Sequence, residues 1–124
     1  MNDNETKLLE NLKQNPHAVS FQEVMSVIAD NYAYSPSTFT NGLGETMVTN
    51  QAGSNEGSCK IFAFAKLHQL SESETLHCFG DYYRADVLEN PDDSDHGNIR
   101  AFMKSGWEGV RFDVEPLRRS SGID

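Results

Sequence analysis

The sequence predicts a mainly helical α+β domain: about five helices with a small antiparallel β element, a hairpin plus a C-terminal strand. Three observations predict it. Two S-x-x-E strings, Ser20 with Glu23 and Ser71 with Glu74, read as capping boxes, each followed by apolar residues at helical spacing. The stretch Ile61-Phe62-Ala63-Phe64-Ala65-Lys66-Leu67 is apolar on almost every helical face, as a buried central helix would be. Glycines 42, 44, 53 and 57 lie among Ser, Thr and Asn, and near the C-terminus Val110, Phe112 and Val114 alternate with charged residues.

The elements follow in chain order. Lys7 to Lys13 carries Leu8, Leu9 and Leu12 on one helical face, and Pro16 ends that helix. After Ser20, Phe21, Val24, Met25, Ile28, Ala29 and Tyr32 make the next stripe, which should run to about Tyr34, where Pro36 takes Ser35 out of the helical region. Ser37–Thr40 and Thr46–Thr49 are short β-prone pieces, and a hairpin should turn at Asn41-Gly42-Leu43-Gly44. The helix from Ser71 carries Leu76, Phe79, Tyr83 and Val87; Gly80 on it costs about 1 kcal/mol against alanine and marks close packing or a kink. Asn90-Pro91-Asp92-Asp93-Ser94 is a turn, and Asp95 is suited to N-cap a helix carrying Ile99, Phe102 and Met103, with Gly106 at C′. The strand at Val110–Val114 can pair with the hairpin. Residues 1–117 are read as one globular domain and residues 118–124 as a loose tail.

A chain of 124 residues suits one domain with one core. Its 19 acidic against 10 basic residues give a formal charge of −9, a field that repels phosphate backbones and anionic lipid, so neither nucleic acid nor a membrane is expected as partner. No apolar run approaches the roughly 18 residues of a membrane helix, and MNDNETKLLE does not read as a signal peptide, so a soluble chain outside the general secretory route is expected. The two cysteines, Cys59 and Cys78, form no C-x-x-C pair and point to free thiols in a reducing compartment.

The strings "NEGSCKIFAFAKL", "TLHCFGDYYRADVL" and "DHGNIRAFMKSGWEGVRF" resemble the HopJ type III effector family, over about Phe21 to Phe112. The resemblance implies a soluble bacterial protein, resident in the bacterial cytoplasm or delivered into a host cytosol by type III secretion. It implies no activity, substrate or catalytic residue, because none is established for the family.

Candidate chemistry centres on Cys59, which follows a glycine-containing loop and opens an apolar helix. A helix N-terminus and the neighbouring Lys60 would both favour thiolate. His96 is the best base candidate, with Asp95 or Asp93 to orient it, whereas His68 and His77 lie on predicted helices. The string departs from the papain-like nucleophile pattern, with Glu56 and Lys60 at the positions of its first cysteine and its aromatic residue. The plainer reading makes Cys59 a small core residue. Asp92, Asp93, Asp95 and His96 invite a metal reading, but a calcium loop counted from Asp93 puts Asn98 at position six and Lys104 at position twelve, so it fails. No metal and no cofactor are expected. The Gly53–Lys60 loop lacks phosphate-loop spacing, although a single anion at its helix start fits. Tyr82, Arg84, Arg100 and Trp107 are types enriched at binding surfaces, and Trp107 equally suits closing the core.

The leading expectation is therefore an interaction or small-ligand-binding protein. Its cleft would combine the Asn50–Lys60 loop with the Asp95–Arg100 helix start, and Asn55, Glu56, Ser58, Lys60, Asn98 and Arg100 would contact a protein partner or a small anionic ligand. The alternative is a thiol-dependent hydrolase or transferase using Cys59, His96 and Asp95. Oligomeric state is not readable from the sequence.

Overall fold

The computed structural model describes residues 3–119. Its elements are α1 (Asp3–Gln14), α2 (Phe21–Asn31), β1 (Tyr32–Tyr34), β2 (Phe39–Asn41), β3 (Val48–Asn50), α3 (Glu56–Leu67), α4 (Glu72–His77), a π-helical turn (Tyr82–Val87), α5 (Gly97–Ser105), β4 (Arg111–Phe112) and β5 (Leu117–Arg119). The mainly helical α+β class stands, with two small antiparallel sheets, β3-β2-β4 and β1-β5. Among the described residues no helix is long and apolar enough to cross a membrane.

Helix α3 is the centre. Ile61, Phe62, Ala63, Phe64 and Ala65 are all fully buried, and five consecutive buried residues leave a helix no solvent face. The Phe62 ring is the hub, with Phe102, Phe79, Phe39 and Trp107 at centroid distances of 5.0, 5.5, 6.1 and 6.3 Å. These are ordinary aromatic packing distances, and they tie α5, the end of α4, β2 and the turn after α5 to one side chain. Trp107 closes the core, its indole Nε1 donating to the Leu70 carbonyl at 3.0 Å.

The hairpin turns where the sequence predicts, but its loop is longer. Strands β2 and β3 pair Phe39 with Asn50, Thr40 with Thr49 and Asn41 with Val48. A 3₁₀ turn at Gly44–Thr46 fills the loop, so the return strand begins at Val48 rather than Thr46. Strand β4 pairs with β2 through Phe39↔Phe112, as expected for the C-terminal strand, although only Arg111 and Phe112 take part and Val114 is exposed.

Three expectations are corrected. Helix α2 stops at Asn31, and Tyr32–Tyr34 instead pairs with Leu117–Arg119. Tyr32 sits at helical spacing yet reaches the core from a strand, because its hydroxyl is drawn to buried Glu5. Arg118 and Arg119, placed in a loose tail, belong to β5; residues 120–124 of that tail lie outside the described residues. The helix from Ser71 has both bonds of its capping box but ends at His77. The cause is Gly80: its φ is +62°, and a Cβ there would fall 2.7 Å from the Phe21 backbone nitrogen. Only glycine permits that turn at that approach, and the chain resumes as the π-helical turn.

The ends of the described chain are joined by a buried carboxylate. Fully buried Glu5 accepts from the Tyr32 hydroxyl at 2.6 Å and from Arg119 Nη1 at 2.6 Å, and His68 Nε2 lies 2.9 Å away. Burial alone would raise the Glu5 pKa. The hydrogen bonds from Arg119, Tyr32 and His68, with the Arg119 charge, outweigh it and hold Glu5 below the usual carboxylate range.

Candidate functional site

The first turns of α3 and α5 meet at a cleft of about 510 Å³. Asn55, Gly57 and Ser58 line it from α3, and His96, Gly97, Asn98 and Ile99 from α5. Phe21, Phe79 and Tyr82 line it from the chain around Gly80 and the start of α2, and Val48 from β3.

Both helices start uncapped. Asn55 and His96 are their N-cap residues, both in the left-handed region (φ 51° and 52°), and neither side chain caps its helix. The first amides of a helix have no intrahelical acceptor and carry partial positive charge, so an uncapped start offers free N–H groups to whatever lies beside it. The sequence assigned the α5 cap to Asp95. That carboxylate is instead held by Arg100 Nη2 at 2.7 Å, and His96 takes the N-cap position.

The side chain of Asn55 is occupied elsewhere, its Nδ2 donating to Asn50 Oδ1 at 2.7 Å. Asn50 and Asn98 then bond reciprocally, Nδ2 of each donating to Oδ1 of the other at 3.1 and 2.9 Å. Asn41 Nδ2 adds bonds to the Asn98 carbonyl at 2.8 Å and to Asn98 Oδ1 at 3.0 Å. The Asn41 Oδ1 is buried and has no partner among the described residues. Four amides from β2, β3 and the starts of α3 and α5 thus form one network at the base of the cleft. Neutral amides bond one another, all but the Asn41 Oδ1, without bringing charge into the interior.

The π-helical turn supplies the other wall. Asp86 Oδ2 lies 3.0 Å from His96 Nε2, nearer than Asp95 Oδ2 at 3.7 Å, and the Tyr82 ring packs on the His96 imidazole with centroids 5.3 Å apart. Tyr82 and Asp86 therefore hold His96 together. Phe21 packs edge-on against Tyr82 at 5.1 Å. Gly57 admits the Phe21 ring, since a Cβ there would lie 2.8 Å from Phe21 Cζ.

Of the expected ligand contacts, Asn55, Ser58 and Asn98 come together at this cleft. Glu56 is exposed on the first turn of α3, and Lys60 Nζ lies over the Tyr34 ring, 4.8 Å from its centroid. Arg100 is committed to the preceding turn, donating to the carbonyls of Asn90, Pro91 and Asp95.

The proposed Cys59, His96 and Asp95 set is not assembled. Cys59 is 1 % exposed, does not line the cleft, and directs its thiol at the Ser37 carbonyl 3.9 Å away. Burial pushes its pKa up, the opposite of what a nucleophilic thiol needs. Burial also pushes Cys78 up to about 12. Among the described residues no cluster of three or more His, Cys, Asp or Glu could hold a metal ion.

Sequence reading missed Phe21, Val48, Phe79 and Asp86. Phe21 and Phe79 carried a clear signal for core, which masked their edges at the cleft. Asp86 falls on a π turn, whose spacing no helical template anticipates.

The comparisons with known proteins agree on kinship. A crystal structure titled as that of the unknown-function protein VPA0580 shares 44% sequence identity and superposes with a TM-score of 0.89, covering 97% of this chain and 95% of that one. No curated protein matches. The sequence profile of the family described as HopJ type III effector protein matches residues 5–117. A match over that span runs from within α1 to the start of β5, and the chain belongs to the HopJ type III effector family.

Proposed function

We propose that this HopJ family protein is a small-ligand-binding protein whose cleft between α3 and α5 takes a small, singly charged anion, the carboxylate of an organic acid. The observation that carries this reading is the convergence of two uncapped helix starts on one cleft. Each helix start favours an anion by about 0.3–1 kcal/mol, up to about 2 when partly buried. Ser58 supplies a hydroxyl donor at the same wall. The acidic surroundings limit the charge that can be accepted. Asp86 and Asp95 stand beside His96 at the cleft within a chain of net charge −9, which disfavours a polyphosphate.

The test is a titration of uniformly ¹⁵N-labelled protein with sodium acetate, with sodium chloride at matched ionic strength as control. Saturable amide shifts at Gly57, Ser58, Gly97 and Asn98, absent with chloride, are expected, and the variant Ser58→Glu should abolish them. Shifts that never saturate, or that scatter over the surface, would refute the reading. The family's name further supports a bacterial protein that meets its ligand in a host cytosol after type III delivery. A translocation reporter fused to the chain should enter host cells only from secretion-competent donors, and equal entry from secretion-deficient donors would remove that setting.

A further inference from the structure

We infer that the remainder of the ligand is a planar aromatic ring seated against Tyr82, so that the cleft binds an aromatic carboxylate. The charged end rests on the anion reading above; the ring rests on separate observations. Tyr82 is 41 % exposed, yet its ring packs against two others, Phe21 (centroids 5.1 Å apart, planes at 79°) and His96 (5.3 Å, 46°). Each flanking ring is itself anchored, His96 by Asp86 at 3.0 Å and Phe21 by its close seat on Gly57. A solvent-exposed aromatic side chain ordinarily loses rotamer freedom when a ligand lands on it. Here the surrounding rings have already restricted it, which makes Tyr82 a preformed platform.

The platform is continuous with the helix starts. Phe21 touches the first turn of α3, and His96 begins α5. A ring on Tyr82 therefore lies beside the amides of both. Phe79 and Ile99, 3 % and 2 % exposed, add apolar surface to the same cleft. Ring-on-ring packing adds about 2- to 10-fold in affinity beyond simple area burial, which distinguishes a planar ring from an aliphatic group of the same size.

Four probes titrated into the full chain at constant ionic strength separate the two claims: benzoate, cyclohexanecarboxylate, acetate and benzamide. Benzoate should bind about tenfold more tightly than acetate and at least threefold more tightly than cyclohexanecarboxylate. Tyr82→Leu should lower the benzoate-to-acetate affinity ratio to near one, and Tyr82→Phe should keep it. Because Tyr82 is partly exposed and outside the buried core, these variants are expected to fold, and their circular dichroism verifies it. Equal affinity for benzoate and acetate, or for benzoate and cyclohexanecarboxylate, overturns the aromatic inference and leaves the anion reading standing. Benzamide binding as tightly as benzoate overturns the anion reading and leaves the ring. Saturable binding by none of the four overturns both.

Discussion

Asn50 and Asn98, 48 residues apart in sequence, face each other as a buried reciprocal amide pair. The pair fastens the return strand of the hairpin to the first turn of α5, and so sets the distance between two walls of the cleft. Asn98→Ala would strand donors on Asn41 and Asn50 in the interior. We expect a loss of about 2–3 kcal/mol, read as a lowered urea midpoint, because a buried donor without a partner costs about 1–3 kcal/mol. A loss under about 0.5 kcal/mol would mean that the network does not hold the hairpin to α5.

The Glu5 cluster makes stability depend on acid. Its folded-state pKa is lowered, so the folded protein binds this proton less readily than the unfolded chain does. The resulting stabilisation is fully present above the ordinary carboxylate pKa of about 4.3, and it disappears as pH falls through the lower folded value. His77 acts in the same direction, since burial, Arg84 and His17 lower its pKa and the native state resists its protonation. Glu5→Gln should destabilise the protein by about 1–3 kcal/mol at pH 7, a figure moderated by the half-exposed Arg119. Its urea midpoint should also fall less between pH 7 and pH 3 than that of the wild type. A variant that tracks the wild type in parallel across that range would contradict the assignment.

Native Cys59 and Cys78 should react slowly with Ellman's reagent at neutral pH. Both thiols are buried with raised pKa values, so modification must await local or global opening. A rate at least about 100-fold below that of the urea-unfolded chain is expected. Rapid native labelling of Cys59 would restore the thiol-enzyme reading.

Gly80→Ala combines a left-handed backbone with a collision against backbone rather than against a side chain that could swing away. About 2–4 kcal/mol should be lost. The displaced π-helical turn should move Tyr82 and Asp86, so the ¹H–¹⁵N signals of His96 and Gly97 should shift in whatever fraction remains folded. Unchanged stability would show that α4 does not need its bend at Gly80.

What was legible in the sequence was decided by local chemistry. The two Ser-x-x-Glu starts, the all-apolar run of α3 and the glycines of the hairpin each carry their signal within a few residues, and all three elements formed. Strand β1 was hidden because Tyr32 satisfies helical spacing while answering to Glu5, 27 positions away. Asp95 has the chemistry of a cap, but Arg100 competes for its carboxylate, and a one-dimensional reading cannot weigh that competition. That Asn55, Ser58 and Asn98 share one cleft was legible because each belongs to a polar loop that ends at a helix start. The aromatic side of the cleft was not, since Phe21 and Phe79 pack into the core and also border the cleft, and periodicity reports only the first.

Glu5 and Arg119 are separated by 114 residues. During synthesis the carboxylate therefore emerges long before its cation, and α1 cannot bury Glu5 at full advantage until Arg119 has left the ribosome. The closing contact is among the most non-local the fold contains, the kind whose loop entropy slows assembly. A nascent chain stopped short of Arg119 would hold α1 loosely, leaving β5 to act as the latch on that helix.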